Sequence, residues 1–136
     1  MSFRPVYLDA SAILKLVRPE AESAALQELL SSWPDRLSAS IARVEVQRAL
    51  RRERRPKADF ALAEQVLDGL TLIRLDDPVL ARAAALKNPL LRALDAIHLA
   101  AALSIGDEPE AFITYDAHLA AAATRERLTV WQPGSR

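Results

Sequence analysis

Four acidic side chains stand where apolar or purely structural residues are the norm, and their types and places point to cation chemistry. Asp9 closes the apolar run Val6-Tyr7-Leu8, and Asp116 follows Ile113-Thr114-Tyr115. Glu45 has Ile41, Ala42, Arg48 and Ala49 at helical spacing, so a carboxylate interrupts a mainly apolar stripe. Asp95 does the same among Leu91, His98, Leu99 and Ala102. Burying an unpaired carboxylate is unfavourable, so such groups are paired, hydrogen-bonded or bound to a cation. The chain has no cysteine and two histidines. That excludes disulfide scaffolds, thiolate zinc sites, cysteine nucleophiles and imidazole cages. An all-oxygen donor set suits a hard cation, Mg2+ or Mn2+.

Each acid also has an ordinary structural reading. Asp9 and Asp116 can be helix N-caps or turn residues. Glu45 can pair with Arg48 or Arg92, and Asp95 can cap its own helix. It is the conjunction, two acids at strand ends and two on helix faces, that favours a cation site.

Placing these residues requires strands and helices in alternation, and the chain supplies them. Strands are expected at residues 4–8, 36–40, 70–75 and 111–115, with a short last one at 128–131. Helices are expected at 11–17, ending before Pro19, at 20–32, and at 41–54, capped by Ser40 and stopped by Pro56. Further helices are expected at 57–67 with a turn at Gly69, from Asp77-Pro78 onward, at 91–105 ending near Gly106, and at 117–124. Strands separated by helices, three glycines in all and no hairpin signal indicate an α/β fold, with a parallel sheet covered on both faces. Ligands of such sheets bind at the carboxyl ends of the strands. Asp9 and Asp116 share that rim if their strands are neighbours.

With 136 residues, 51% of them apolar, and no repeat or linker, residues 1–136 read as a single domain. Lys and Arg balance Asp and Glu at 18 each. Binding to nucleic acid by bulk charge is therefore excluded, and a local patch would be needed. The one local excess of positive charge is Arg48, Arg51, Arg52, Arg54, Arg55 and Lys57. It is either a solvated helix end, where cations complement the dipole, or a surface for RNA or a protein partner. Aromatic residues make up 5%, too few for a base-stacking platform. No signal-peptide core is present, and the longest apolar-rich stretch, residues 96–105, falls short of the roughly 20 residues that span a bilayer. A soluble, cytoplasmic protein with no membrane partner is the expectation.

The pattern Val6-Tyr7-Leu8-Asp9-Ala10-Ser11-Ala12, Arg43-Val44-Glu45, Leu94-Asp95-Ala96-Ile97-His98-Leu99-Ala100 and Ile113-Thr114-Tyr115-Asp116 resembles the PIN-domain ribonucleases. In particular it is similar to the VapC-type toxins of bacterial and archaeal toxin–antitoxin modules. The resemblance covers essentially the whole chain, in order. It implies a single three-layer α/β/α domain with a central, mostly parallel sheet. It implies that the family's acids, falling here on Asp9, Glu45, Asp95 and Asp116, gather at one end of that sheet around Mg2+ or Mn2+. It further implies endonucleolytic cleavage of RNA, a cognate antitoxin that blocks the site, and a homodimer.

Within that resemblance, Asp9, Asp95 and Asp116 would hold the metal, and Glu45 would orient or deprotonate the attacking water. Phosphodiester hydrolysis needs negative charge neutralised and a water activated, and a carboxylate-held divalent ion does both. Ser11 is either a helix N-cap or a hydroxyl holding the Asp9 carboxylate. Thr114 is either a plain strand residue or a supporting hydroxyl. His98, one turn after Asp95, is either a packed core residue or a catalytic base, within reach of a hydrogen bond to Asp95. His118 reads as a surface residue. Arg48, Arg51, Arg52 and Arg55 would contact RNA or the antitoxin. The principal alternative is a non-catalytic PIN-like module that binds RNA or protein. A phospho-acceptor receiver domain fits poorly, because Asp9 lacks an acidic neighbour and no lysine follows the last strand. A DNA nuclease shares the chemistry, but no DNA-clamping element accompanies it here.

Overall fold

Alternate residues of the short strands go to opposite faces of one sheet, and that alternation builds two cores. In β1 (Val6–Leu8), Val6 and Leu8 join one apolar cluster while Tyr7 joins the other. In β4 (Ala111–Ile113), Ala111 and Ile113 are divided from Phe112 in the same way. Strands covered on both faces are near-continuous apolar runs, as these two are. With β2 (Arg36–Ala39), β3 (Thr71–Ile73) and β5 (Val130–Trp131) they form one five-stranded sheet, parallel throughout, in the order β3-β2-β1-β4-β5. The computed structural model describes residues 4–105 and 108–135.

Helices α1 (Ala10–Val17), α2 (Ser23–Leu30), α3 (Ala42–Arg52) and α4 (Lys57–Asp68) pack around the cluster that holds Val6, Leu8 and Ile113. Helices α5 (Asp77–Ala85), α6 (Ala93–Leu103) and α7 (Ala117–Arg125) cover the opposite cluster, with Tyr7 and Phe112. The result is the expected three-layer α/β/α arrangement. In α6, Ala96, Ala100, Ala101 and Ala102 are all buried; their small side chains let the helix backbone lie close to the sheet.

Several boundaries differ from those expected, each for a local reason. β1, β3 and β4 are each three residues long, so the expected strands at 4–8, 70–75 and 111–115 are too generous. α3 is preceded by Ile41 with no side-chain cap, so Ser40 is not its N-cap. α5 does begin at Asp77 as expected, with Asp76 before it as the cap, accepting the Val79 amide. Asp95 is not a cap either: Arg92 holds that position, and Asp95 lies in the first turn of α6. α6 ends at Leu103, where the Ser104 amide bonds back to the Ala100 carbonyl; Gly106 lies outside the described residues. Gly69 closes α4 with a right-handed φ of −81°.

From β1 the chain moves to β2 and β3 on one side, then crosses to β4 on the other. The direction of travel along the sheet therefore reverses between β1 and β4, the place where parallel α/β sheets open a ligand crevice.

Candidate active site

Asp9 and Thr114 follow β1 and β4 directly, so the switch point sets them side by side. The Asp9 amide bonds the Ile113 carbonyl at 3.2 Å, which fixes the two strand ends together. The Asp9 carboxylate is buried, and both of its oxygens accept hydrogen bonds. Oδ1 accepts from Ser11 Oγ at 2.6 Å and from the Ala12 amide at 3.0 Å, and Oδ2 accepts from Thr114 Oγ1 at 2.6 Å. Asp9 is thus the N-cap of α1 and also the centre of a hydroxyl network. Ser11 is not the cap; besides holding Asp9 it accepts the Tyr115 amide at 2.9 Å. Thr114 lies past the end of β4 and accepts the Asp116 amide at 3.1 Å. Asp116 caps α7 through the Leu119 amide, so the ordinary capping role and a place at the rim coexist in both aspartates.

Asp95 and Asp116 line one cleft of about 340 Å³ together with Leu90, Arg92 and His118. His118 is exposed there, on the first turn of α7. Burial lifts the Asp95 carboxyl above the ordinary aspartate range, and the charges of Asp116, Asp9 and Glu45 lift it further. Burial likewise raises Asp9, against the pull of His98 and of its hydroxyl and amide donors. Asp95 therefore lies within the field of the other three acids. Among the described residues, none of Asp9, Asp95 and Asp116 is ion-paired with a lysine or arginine.

Glu45 departs from its expected partners. Neither Arg48 nor Arg92 pairs with it; its Oε1 instead lies 2.6 Å from Nε2 of His98. The His98 ring is 1% exposed, and its Nδ1 lies 2.8 Å from the Tyr7 hydroxyl, so it does not reach Asp95. His98 is a core residue, as its apolar surroundings imply, but one wired to a candidate site acid. Sequence reasoning missed Tyr7 altogether. The available signal was a phenol in the middle of a strand buried on both faces, because a buried hydroxyl needs a partner.

The basic run divides. Arg55 is taken up by Asp59 at 2.6 Å, and the Arg51 guanidinium lies 5.5 Å from the Phe60 ring centroid. Arg48 and Arg52, by contrast, line a second cleft of about 290 Å³ with Glu45, Ile41, Val44 and Leu94. Only these two of the four expected contact arginines border the acids.

The raised carboxyls carry a stability consequence. A group that ionises less readily in the folded chain binds its proton more tightly there, so its charge destabilises the fold above the folded pKa. That penalty disappears as the pH falls through the folded pKa towards the ordinary aspartate value of about 4. Glu22 acts in the opposite sense: the hydrogen-bonded Lys15 ammonium holds it below the usual carboxylate range, and that contribution is lost on further acidification. In EDTA, melting temperature should therefore rise from pH 7 to a maximum in mild acid and then fall. In Asp95→Asn the rise should shrink; scanning calorimetry against pH checks both.

Whether these residues suit a divalent ion can be judged on their chemistry. The donors are oxygens only, the aspartates lack cationic partners, and their mutual repulsion is what an added positive charge relieves. As they stand, no three carboxylate or imidazole side chains among the described residues are grouped closely enough to cage an ion. The set fits a hard cation held partly through water rather than a closed protein cage.

The PIN domain family model matches residues 6–126. Ribonuclease VapC46 of Mycobacterium tuberculosis is 41% identical over 130 residues, covering 94% of this chain and 97% of its own. Ribonuclease VapC47 of the same organism is 35% identical over 134 residues, 96% of this chain and 98% of its own. Among solved structures, that of M. tuberculosis VapC20, described as a sarcin-ricin loop cleaving toxin, superposes with a TM-score of 0.70. It does so at 18% identity, over 86% of this chain and 94% of that one, a likeness of fold. Family model, full-length relatives and parallel five-stranded architecture agree: the chain belongs to the PIN-domain family, among the VapC-type ribonucleases.

Proposed function

We propose that this protein is the toxin of a toxin–antitoxin module and hydrolyses RNA phosphodiester bonds internally, using Mg2+ or Mn2+. The observation that carries the reading is the set of aspartates that, among the described residues, have no lysine or arginine partner at the β1/β4 switch point, where burial and then the charges of the neighbouring acids lift Asp95. The full-length relatives, named as ribonucleases, support it.

A bound divalent ion would supply positive charge to the phosphate and activate water. Asp9, Asp95 and Asp116 would hold it, directly or through water. Ser11 and Thr114 hold both oxygens of Asp9 and so set the direction of its free lone pairs. Glu45 orients the attacking water and takes its proton. Arg48 and Arg52 flank Glu45 on one side and Arg92 borders Asp95 on the other, placing guanidinium groups where an RNA backbone would cross the rim. Arg51 and Arg55 are held by Phe60 and Asp59 and serve α3 and α4 first. A cognate antitoxin, a second copy of the chain and the cytoplasm complete the proposal; among the described residues no helix is long and apolar enough to cross a membrane.

The test is cleavage of a defined RNA by the purified protein, with products sized and their ends mapped. Internal cuts should appear with Mg2+, vanish with EDTA and return with added Mn2+. Cutting that persists unchanged in EDTA overturns the metal requirement. Absence of both divalent-ion binding and cleavage would leave the non-catalytic module as the better reading.

A further inference from the structure

We propose that Tyr7 and His98 form a buried positioning relay that commits one oxygen of Glu45 and leaves the other to the attacking water. The inference rests on the function proposed above and states how one residue of that site is held in place. Three distant parts of the chain meet to build it: Tyr7 from β1, Glu45 from α3 and His98 from α6.

The geometry is closed on the protein side. Tyr7 is stacked on Phe112, with ring centroids 5.0 Å apart and planes 4° from parallel, so its hydroxyl has little freedom. That hydroxyl lies 2.8 Å from His98 Nδ1, and the two rings meet edge to face at 5.9 Å. On the far side of the imidazole, Nε2 lies 2.6 Å from Glu45 Oε1. Tyr7 and His98 are completely or almost completely buried, whereas the Glu45 side chain keeps 16% of its exposure. Only the last member of the chain opens outward.

Proton positions follow from the donors available. The Tyr7 hydroxyl carries a proton to give, and its O–H donates to Nδ1 at 2.8 Å. With Nδ1 accepting, the ring N–H is the one at Nε2, which donates to Oε1 of Glu45. The arrangement gives Glu45 a directed hydrogen bond without placing a permanent cation beside it. A carboxylate so held presents its other oxygen to the water. A lysine or arginine in the place of His98 would instead form an ion pair and weaken the base. Elsewhere α6 fills this core with leucine and alanine, so packing alone does not call for an imidazole.

Four variants test the relay in the metal-loaded full-length protein. Tyr7→Phe removes one oxygen and keeps the stack on Phe112. His98→Ala removes the donor, His98→Gln places an amide N–H near the position of Nε2, and Asp9→Asn serves as the reference. Loss of a supporting hydrogen bond of this kind lowers activity by about 10–100-fold. The expected result is that fall in kcat for Tyr7→Phe and His98→Ala, with KM unchanged because Glu45 acts on the water and not on bound RNA. His98→Gln should recover most of the loss. Nitrogen-15 NMR of the imidazole should show the proton on Nε2 in the parent chain and a mixed tautomer in Tyr7→Phe. His118 is the sole other histidine, so the assignment is direct. If His98→Ala does not fold, Tyr7→Phe and His98→Gln decide the matter.

If Asp9→Asn is inactive while Tyr7→Phe and a folded His98→Ala turn over at the parental rate, the relay is wrong and the proposed function stands. A His98→Gln variant as poor as His98→Ala, or a proton found on Nδ1 in the parent, also overturns it. If Asp9→Asn itself remains active, the fault lies in the proposed function.

Discussion

Asp9→Asn should lower RNA cleavage by about 10²–10³-fold, the loss typical when one preorganised electrostatic group is removed from a reaction centre, while leaving the protein folded. The structure separates these outcomes. Asparagine caps a helix as well as aspartate does, and its carbonyl oxygen can keep the Ser11 and Ala12 bonds now made by Oδ1. Its amide nitrogen replaces Oδ2, and the Thr114 hydroxyl, now a donor there, would turn to accept. What disappears is a buried negative charge that burial already disfavours. Melting temperature should accordingly stay level or rise. Single-turnover cleavage and calorimetry on the same preparation check the pair of expectations. A variant that cuts RNA at the parental rate removes Asp9 from the site, and one that loses activity by unfolding removes the separation argued here.

Phe112→Ala should have the largest effect on stability, about 3–5 kcal/mol by analogy with other buried aromatic truncations. Phe112 is wholly buried in the interior strand β4, stacked on Tyr7 beneath α6 and α7. Small domains are stable by only about 5–15 kcal/mol, so this one substitution removes a large share. The urea midpoint reads it directly. Because Tyr7 loses the ring that holds it flat, any folded fraction should also cleave less than its concentration predicts. A midpoint shift of under about 1 kcal/mol would mean that the neighbouring alanines and leucines collapse into the space.

The fold was legible because its strongest signals are local. Val6-Tyr7-Leu8 and Ala111-Phe112-Ile113 are apolar on both sides, and prolines and capping acids punctuate the helices between them. Strand lengths were less so: β-branched Thr114 looks as suited to a strand as its neighbours, and the ends are set by where parallel pairing stops. The four acids were legible as interruptions of apolar pattern. Their hydrogen bonds were not, since the Asp9–Thr114 bond spans 105 positions and the His98–Glu45 bond spans 53. Periodicity on α3 made Arg48 the natural partner of Glu45; the third dimension supplied His98 instead. The basic run is continuous in sequence but divided in space: Arg51 and Arg55 are held against α4, whereas Arg48 and Arg52 border the cleft beside Glu45.

The order in which the sheet is laid down has a bearing on how such an enzyme is made. Asp9 is made well before Thr114, yet its carboxylate is oriented by that residue, and β4, which positions Thr114, pairs directly with β1. Long-range pairings of this kind are late events in folding. A nascent chain that has not yet reached residue 116 lacks the Asp116 carboxylate, and one that has not reached residue 114 also lacks the hydroxyl that orients Asp9.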